Sequence, residues 1–422
     1  MTEVYKFGGA SVKDAGGVRN VARIAGLCQA PELLIVVSAM GKTTNALEKL
    51  TEAYCRQDGR AHDILAEVKQ YHQNILDELF PPDHPVHDEV SNAFVEIDWI
   101  LEDEPHPEYD FNYDQIVSVG ELVSSRIISR YLDAQGLENS WADARSYIQT
   151  DNSYREGRVN WEKTEALVRG SLKAELQKHP VVTQGFIGGT SENFTTTLGR
   201  EGSDYSAAIF AACLAAASVT IWKDVPGVLN ADPKVFPETT KYPELPYSEA
   251  IEMAYYGASI IHPKTLKPLQ NARIPLYVRP FAAPHEAGTI VTESTVHPEI
   301  PAVILKHDQV LLSLSTRDLS FITEDHLSSI FSAFASLSVK VNVMQISALS
   351  FSAGFDLQER TFSRLIALLE PEFRILYNTG LELITVRHFQ RDLLNRLCEG
   401  KTILLEQFSR NTAQLVVREE EQ

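Results

Sequence analysis

The stretch TTTLGREGSD, residues 195–204, is followed at once by a small-residue run from Tyr205 to Ala217 whose pattern predicts a helix. The start of a helix presents unpaired backbone N–H groups and a partial positive charge, which attract phosphate or carboxylate groups. Glycines let the backbone approach a ligand closely, and Arg200 can bind a carboxylate through two parallel hydrogen bonds. Taken alone, the stretch is equally compatible with an ordinary glycine-rich turn in which Ser203 or Asp204 caps the helix.

Two further segments favour the ligand-binding interpretation. KFGGAS, residues 6–11, follows a short apolar start and predicts a strand end, a tight turn and a helix from about Ala15 to Leu27. A lysine in that position can neutralise phosphate oxygens. IWKDVPG, residues 221–227, predicts a strand that ends in a polar loop, and Asp232-Pro233-Lys234 follows it. Loops at the carboxyl ends of parallel strands are where open α/β sheets bind ligands.

The pattern along the rest of the first 285 residues predicts an α/β fold. ELLIVVSA, residues 32–39, is a continuous apolar run typical of a buried parallel strand. Residues 140–144, 180–187 and 218–223 predict further strands, and helical patterns separate them. Residues 61–110 predict two helices divided by the proline-rich turn at 81–85. We therefore expect a central, mostly parallel sheet sandwiched by helices.

Beyond residue 285 the composition changes, and the sequence predicts a separate region. Gly288, Pro298 and Pro301 punctuate residues 286–306, and Pro284 precedes them, so we interpret this stretch as a linker. Residues 310–315 and 339–347 then predict strands around a helix at 327–337, and a weaker version of the pattern follows. This predicts two ferredoxin-like α+β units within 307–422, the second of them shortened.

Composition restricts the class of protein. The chain has 422 residues, 44% of them hydrophobic, which predicts two or three folded domains, and its net charge is −19. Because no basic cluster occurs, we expect no nucleic-acid partner. No signal pattern is present, and the longest apolar stretch, 207–222, is too short and too polar for a membrane span. Four scattered cysteines without a CxxC pattern predict reduced thiols and a cytoplasmic location.

Several common site motifs are excluded. SAMGKT, residues 38–43, lacks the earlier glycine of a Walker A loop, because that position is Val36. No GxGxxG dinucleotide motif is present. His84, His87 and Asp88 could ligate a metal, but a solvated loop between helices is the simpler interpretation, so no protein-held metal site is predicted.

Taken together, six motifs give the chain a close resemblance to the aspartate kinases of the amino-acid kinase superfamily. In chain order they are KFGGAS (6–11), SVGE (118–121), TQGFIG (183–188), TTTLGREGSD (195–204), WKDVPG (222–227) and YGASIIHP (256–263). The resemblance covers residues 1–285, and the region from about 310 resembles the paired ACT regulatory units of the same family. It implies an amino-acid kinase domain with aspartate-binding and ATP-binding lobes, followed by regulatory ACT units.

The resemblance also implies a reaction. The γ-phosphoryl group of ATP, with Mg²⁺, would pass to the β-carboxylate of L-aspartate, the first step of lysine, threonine and methionine biosynthesis. An aspartate carboxylate is already ionised at neutral pH, with a pKa of about 3.9, so no general base is needed. Catalysis should then consist of positioning and charge neutralisation. By the same resemblance, we expect a homodimer and an amino-acid effector at the ACT units.

The site residues are assigned through the resemblance. The catalytic group comprises Lys6, Gly8, Gly9 and Asp204, with Lys6 contacting the transferring phosphoryl group. The aspartate site comprises Ser38, Thr44, Glu121, Arg145, Phe186, Arg200 and Ser203. Arg200 would bind a substrate carboxylate, and Glu121 or Asp204 would bind the ammonium. The nucleotide site comprises Lys223, Asp224, Gly227, Asp232, Lys234 and Ser259.

Three departures from the family pattern carry expectations of their own. Glu201 stands where many relatives have glycine, so its carboxylate is expected to point away from the anion site. Ser259 replaces a nucleotide-binding lysine, for which Lys264 or Lys223 would compensate. Asn342 and Ala348 replace acidic residues of lysine-sensitive relatives, so the resemblance does not imply lysine inhibition.

Two other functions remain open from the sequence. One keeps the fold and changes the substrate to another small carboxylate or a nucleotide, such as glutamate or UMP. The other is a non-catalytic amino-acid sensor that presents ACT units on an inactive kinase domain. Retained phosphoryl transfer would separate the sensor from the enzymes.

Overall fold

The computed structural model describes residues 1–258, 261–295, 298–318 and 320–420. Packing divides the chain into two units. The first comprises 1–228, 241–251 and 260–296, and the second comprises 229–240, 252–259 and 297–422. Short segments from the predicted kinase region therefore belong to the second unit, and the predicted boundaries at 285 and 306 stay a prediction.

The first unit is built on an eight-stranded sheet and a separate two-stranded hairpin. Its strands are β1 (Thr2–Phe7), β2 (Glu32–Val37), β3 (Ser140–Ala142), β4 (Val181–Gln184), β5 (Ile187–Gly189), β6 (Thr195–Thr197), β7 (Ser218–Lys223), β8 (Glu244–Pro246), β9 (Leu276–Pro280) and β10 (Thr289–Thr292). The sheet order is β3-β4-β2-β1-β7-β9-β10-β8, and β5 pairs with β6. All sheet pairs are parallel except β9 with β10.

Helices cover this sheet, as the alternating pattern predicts. They are α1 (Ala15–Gly26), α2 (Thr43–Arg56), α3 (Ala61–Leu79), α4 (Val86–Glu102), α5 (Tyr109–Val117), α6 (Val119–Ala134), α7 (Trp161–Leu167), α8 (Lys173–Leu176), α9 (Gly202–Leu214), α10 (Tyr247–Tyr256) and α11 (Pro263–Ala272). A 3₁₀ turn at Ala144–Ser146 and a π-helical turn at Val168–Leu172 complete the set. The apolar faces of α1 to α6 bury one continuous core against β1 and β2.

Helix α9 begins three residues earlier than the sequence predicts. Glu201 occupies the N-cap position without a side-chain capping bond, and its φ of 53° is left-handed. Ser203 and Asp204 therefore lie inside the first helical turn. Their side chains are free for other partners, so the simple capping interpretation of this stretch is wrong.

The second unit carries a six-stranded antiparallel sheet with helices packed on it. Its elements are β11 (Ala302–Thr316), α12 (Glu324–Ser336), β12 (Val341–Ile346), β13 (Ser350–Asp356), α13 (Glu359–Leu369), β14 (Phe373–Arg387), α14 (Arg391–Leu397), β15 (Lys401–Phe408) and β16 (Thr412–Glu419). The sheet order is β12-β13-β11-β14-β16-β15. The half built on β12, β13, β11 and β14 has the ferredoxin-like order and two helices, whereas the β16–β15 half has α14.

The long strands β11 and β14 run through both halves of this sheet. Ala302–Lys306 pairs with Leu383–Arg387, and Leu311–Thr316 pairs with Phe373–Asn378. The predicted linker at 286–306 thus contains β10 and the first residues of β11. The prolines that suggest a linker flank these short strands, and local composition does not distinguish the two cases. The predicted fold class, a mostly parallel sheet followed by ferredoxin-like α+β units, is confirmed.

Within the described ranges, no helix has both the length and the apolar character needed to cross a bilayer.

Candidate functional site

A cavity of about 740 Å³ opens in the first unit beside the start of α9. Its walls come from the turn after β1, the turn after β2, the start of α6, the end of β6 and the first turn of α9. The lining residues that the sequence analysis assigned are Lys6, Gly9, Ser38, Thr44, Glu121, Phe186, Arg200, Ser203, Asp204 and Lys223. Segments far apart in sequence thus meet at one concave surface, which is the usual form of a small-molecule site.

Asp204 forms the charged centre of this cavity. Its carboxylate is buried, 2.5 Å from Lys6 Nζ and 3.7 Å from Lys223 Nζ. The two lysines lie at the carboxyl ends of the adjacent parallel strands β1 and β7. Burial alone would raise the pKa of Asp204, but the two ammonium groups hold that pKa below its usual value. Two cations and the N-terminus of α9 therefore converge on one point, an arrangement that suits phosphate oxygens.

The glycine turn after β1 packs too closely for a side chain at Gly9. A Cβ on Gly9 would lie 2.6 Å from the Ala39 carbonyl oxygen. The Gly41 N–H donates to the Gly9 carbonyl at 3.0 Å, which ties this turn to the one after β2. Gly8 lies in the same turn, but it does not line the cavity. The two turns form a continuous backbone surface beside Lys6.

Glu121 is a buried acid, and one of its two carboxylate oxygens has no hydrogen-bond partner among the described residues. It lies in the first turn of α6, and its Oε1 accepts a hydrogen bond from the Ala39 N–H at 3.3 Å. Its Oε2 is buried and has no hydrogen-bond partner among the described residues. Burial raises the pKa of Glu121 from 4.5 to about 8. A cationic ligand group in the cavity would supply the missing partner.

The turn before α9 carries Arg200, which lines the cavity, and Glu201, whose carboxylate is hydrogen-bonded to the backbone. Arg200 is exposed, and it has no ion pair within the part of the chain that the structure describes. Glu201 Oε2 accepts a hydrogen bond from the His262 N–H at 2.8 Å. This bond to the backbone holds the Glu201 carboxylate, and the expectation that it points away from a bound anion stays a prediction. Arg200 is available to bind an anionic ligand group.

Phe186 and Ser203 are fixed by close packing. Phe186 has a left-handed φ of 71°, and its N–H donates to Ser206 Oγ at 2.9 Å. A Cβ on Gly185 would lie 2.5 Å from Ser203 Cβ, and one on Gly202 would lie 2.6 Å from the Phe186 ring. These contacts set the position of the first turn of α9 against the strand end at β4.

Arg145 does not line the cavity. Its guanidinium pairs with Asp143 at 2.7 Å and donates to Thr195 Oγ1 at 3.3 Å. Its assignment to the substrate stays a prediction. The cavity wall instead contains another arginine, Arg155.

The described residues assigned to the nucleotide site, other than Lys223, also lie outside the cavity lining. Gly227 has a φ of 150°, and a Cβ there would lie 2.6 Å from Thr289 Oγ1, so the turn requires glycine. Asp232 Oδ1 accepts a hydrogen bond from the Lys234 N–H at 2.9 Å, and both residues belong to the second unit. The assignment of Asp224, Gly227, Asp232 and Lys234 to the nucleotide site stays a prediction, and Ser259 lies outside the described residues.

The sequence analysis missed part of the cavity wall. The additional lining residues are Ala10, Ala39, Gly41, Tyr113, Arg155, Glu156, Thr197, Gly199, Glu201 and Gly202. Several of them fall inside the quoted motifs and could have been included. Tyr113, Arg155 and Glu156 lie in segments whose sequence carries no ligand-binding pattern, and only tertiary packing brings them to the cavity.

Comparison with known proteins agrees with this geometry. A model of the amino acid kinase family matches residues 1–280. The lysine-sensitive aspartokinase 3 of Escherichia coli is 30% identical over 416 residues, which cover 96% of this chain and 91% of that protein. The chloroplastic aspartokinase 1 of Arabidopsis thaliana is 32% identical over 84% of this chain and 63% of its own length.

Solved structures show the same relationship. The crystal structure of E. coli aspartokinase III in complex with aspartate and ADP superposes with a TM-score of 0.86 at 27% identity, covering 99% of this chain and 96% of that one. The aspartate kinase of Clostridium acetobutylicum has the same fold, with a TM-score of 0.77 at 20% identity over 98% of this chain and 96% of that one. The chain therefore belongs to the amino acid kinase family and, within it, to the aspartokinases.

Proposed function

We propose that this chain transfers the γ-phosphoryl group of ATP to the β-carboxylate of L-aspartate, giving 4-phospho-L-aspartate and ADP. The observation that carries the proposal is the buried, unpartnered Oε2 of Glu121 in the same cavity as Lys6, Asp204 and Lys223. A substrate ammonium satisfies Glu121, and an anionic group satisfies the lysines. The E. coli relative that binds aspartate and ADP supports the same pair of ligands.

The residues divide the work between recognition and charge neutralisation. Glu121 binds the substrate ammonium, and Arg200 binds its α-carboxylate. An oxygen of the ionised β-carboxylate attacks the γ-phosphorus, the bond from the γ-phosphorus to the bridging oxygen breaks, and ADP leaves with that electron pair. Lys6 and Lys223 neutralise the charge of the phosphoryl oxygens, and Asp204 holds both lysines in place.

Mg²⁺ fits this site as a companion of the nucleotide. Within the described ranges, no group of three or more His, Cys, Asp or Glu side chains is arranged to hold a metal ion. Mg²⁺ commonly binds through substrate phosphates, water and one or two carboxylates, and Asp204 is the buried carboxylate beside the lysines. When bound, the ion would supply further neutralisation of phosphate charge.

The deciding experiment is an ATP- and Mg²⁺-dependent assay that traps acyl phosphate with hydroxylamine. Aspartate, glutamate and UMP are each offered as acceptor. Hydroxamate from aspartate, with none from glutamate and no UMP phosphorylation, supports the proposal. Product from glutamate or UMP alone indicates a kinase for another substrate. ATP binding without product from any acceptor indicates the non-catalytic sensor.

We further propose that the second unit is regulatory and takes an amino-acid effector. An E. coli aspartokinase III structure in complex with lysine and aspartate superposes with a TM-score of 0.81. In this chain Asn342 Oδ1 accepts a hydrogen bond from Lys306 Nζ at 2.9 Å, so an internal ammonium already occupies that oxygen. Inhibition of hydroxamate formation by lysine and threonine, each titrated alone, identifies the effector.

The same unit supports a homodimer as the working state. Strand β12 is an edge of the six-stranded sheet, and it exposes Met344 and Ile346, at 45% and 50%. An exposed apolar edge strand is a template for pairing with a second copy. Light scattering after size exclusion tests the dimer. Free, scattered cysteines support a reducing, cytoplasmic compartment.

A further inference from the structure

Asp114 is a buried acid that the proposed chemistry does not use. It lies on α5, is fully buried and is absent from the cavity lining. Its Oδ2 accepts hydrogen bonds from the Arg155 N–H and the Thr197 N–H, both at 2.9 Å. Its Oδ1 accepts a third bond from Thr197 Oγ1 at 2.7 Å. One carboxylate thus holds two separate segments of the chain.

Both of these segments form walls of the substrate cavity. Arg155 and Glu156 line it from the loop that follows β3, and Thr197 lines it from the end of β6. The Gly157 N–H also donates to the Thr197 carbonyl at 2.8 Å, so loop and strand are joined directly. Strand β6 continues into the turn that presents Arg200. Asp114 therefore connects the loop to the strand that leads into the Arg200 turn.

Arg155 extends the connection to a third wall. Its backbone is left-handed, with a φ of 64°, a conformation that persists in an arginine only where its surroundings fix it. Its guanidinium lies 4.1 Å from the centre of the Tyr113 ring and pairs with Glu48 at 2.9 Å. Glu48 lies on α2, the helix whose first turn carries Thr44. The Arg155 side chain thereby connects this loop to α2.

We propose that Asp114 is a positioning residue that fixes the Arg155 loop against β6 and thereby holds the Arg200 side of the aspartate site in place. This inference rests on the proposed aspartate kinase function. A cavity whose Arg200 wall is held in a fixed position accepts aspartate and rejects glutamate, which is one methylene longer. Asp114 touches neither substrate, so its effect on the reaction passes through Arg155 and Thr197.

The test is Asp114→Asn, which keeps the shape of the side chain. Asparagine has one acceptor oxygen and an NH₂ group, so it cannot accept all three hydrogen bonds. We expect the KM for aspartate to rise about tenfold or more and the KM for ATP to stay within about twofold. The ratio of kcat/KM for aspartate over glutamate falls about fivefold or more. A general loss of stability would not separate the two substrates in this way.

Asp151→Asn is the matched control. Asp151 lies on the same loop and accepts bonds from the Ser153 N–H at 3.1 Å and the Arg158 N–H at 3.0 Å, but it does not line the cavity. Its KM values stay within about twofold of the wild type. Thr197→Val, which removes one donor to Asp114, carries the test if Asp114→Asn does not fold, and it shifts the aspartate KM in the same direction.

Two results overturn the inference in distinguishable ways. If the wild type forms aspartyl hydroxamate but the Asp114 and Thr197 variants change both KM values equally, or neither, Asp114 has no positioning role. If the wild type forms no hydroxamate from aspartate, the proposed function fails and the inference fails with it.

Discussion

Replacing Glu121 by Gln should abolish the release of a proton that accompanies aspartate binding. Burial raises the pKa of Glu121 to about 8, so at pH 7 its carboxyl group is protonated in about nine of ten empty molecules. A substrate ammonium against Oε2 favours the ionised form, so binding at pH 7 expels about 0.9 proton per site. The apparent affinity for aspartate should therefore fall about tenfold per pH unit below pH 8 and level off above it.

Isothermal titration calorimetry measures this proton directly. Aspartate is titrated at pH 7 in two buffers of different ionisation enthalpy, and the difference in observed heat gives the number of protons released. Glu121→Gln should release none, bind aspartate about 10 to 100 times more weakly and lose the dependence on pH, because a neutral amide replaces a charge-assisted bond. Glu156→Gln is the control, since that cavity-lining side chain is 72% exposed and leaves Glu121 intact.

The same substitution should stabilise the empty protein. The pKa of Glu121 is raised from 4.5 on folding, so the folded state binds more protons than the unfolded state between about pH 4.5 and 8. Stability is therefore lost as the pH rises through that window, by up to about 5 kcal/mol at 1.36 kcal/mol per pKa unit. Urea unfolding should show Glu121→Gln to be more stable than the wild type at pH 8 and similar to it at pH 4.5. Proton release that persists in Glu121→Gln, or wild-type affinity that does not change between pH 6 and 8, refutes the reasoning.

Three further predictions concern the walls and the core of the first unit. Lys6→Met leaves the buried Asp204 with Lys223 as its nearest cation, so kcat should fall at least about 100-fold and the unfolding free energy by about 3–5 kcal/mol. The exposed Lys178→Met should change neither quantity. The hydroxamate assay and urea unfolding measure the two quantities, and an unchanged kcat would contradict the role of Lys6. Gly185→Ala places a Cβ 2.5 Å from Ser203 Cβ and should lower the unfolding free energy by about 1–3 kcal/mol. Nothing lies within 4 Å of a Cβ at Gly170, so Gly170→Ala should raise the unfolding free energy by about 0.5–1 kcal/mol. Equal melting temperatures of the two variants in thermal unfolding would contradict this prediction. Burial lowers the pKa of His72 from 6.5 to about 4, so the stability that neutral His72 contributes is complete above pH 6.5 and is lost as the pH falls toward 4. The difference in unfolding free energy between wild type and His72→Gln should therefore shrink by about 2 kcal/mol from pH 7 to 5. A constant difference in urea unfolding would show that His72 is not the group responsible.

The strongly periodic parts of the fold were predictable from the sequence. The apolar run at 32–39 corresponds to β2, and the proline-rich turn at 81–85 separates α3 from α4. Short elements were less predictable, because three- or four-residue strands such as β8 and β10 carry too few residues to show a period. The helical stretch from Tyr109 to Ala134 is divided into two helices, α5 and α6, which meet at Ser118.

Motifs determined by themselves which segments carry the chemistry. Glycine at positions 9 and 185, and lysine at the ends of β1 and β7, are choices that follow from local backbone geometry and from charge. The family resemblance that the motifs carry named ten of the cavity-lining residues. Local patterns also predicted the order of strands and helices along the chain, since each depends on neighbours only a few residues away.

Only the tertiary structure decided which charges meet and which remain without a partner. Lys6 lies almost 200 residues before Asp204 and more than 200 before Lys223, yet the three residues form one ion cluster. Packing also brings Arg155, which the sequence analysis did not assign, to the cavity wall, and its N–H donates to Asp114 on another helix. The raised pKa of Glu121 also comes from burial by residues remote in sequence. Desolvation and long-range contacts have no local signature, so they are properties of the folded chain alone.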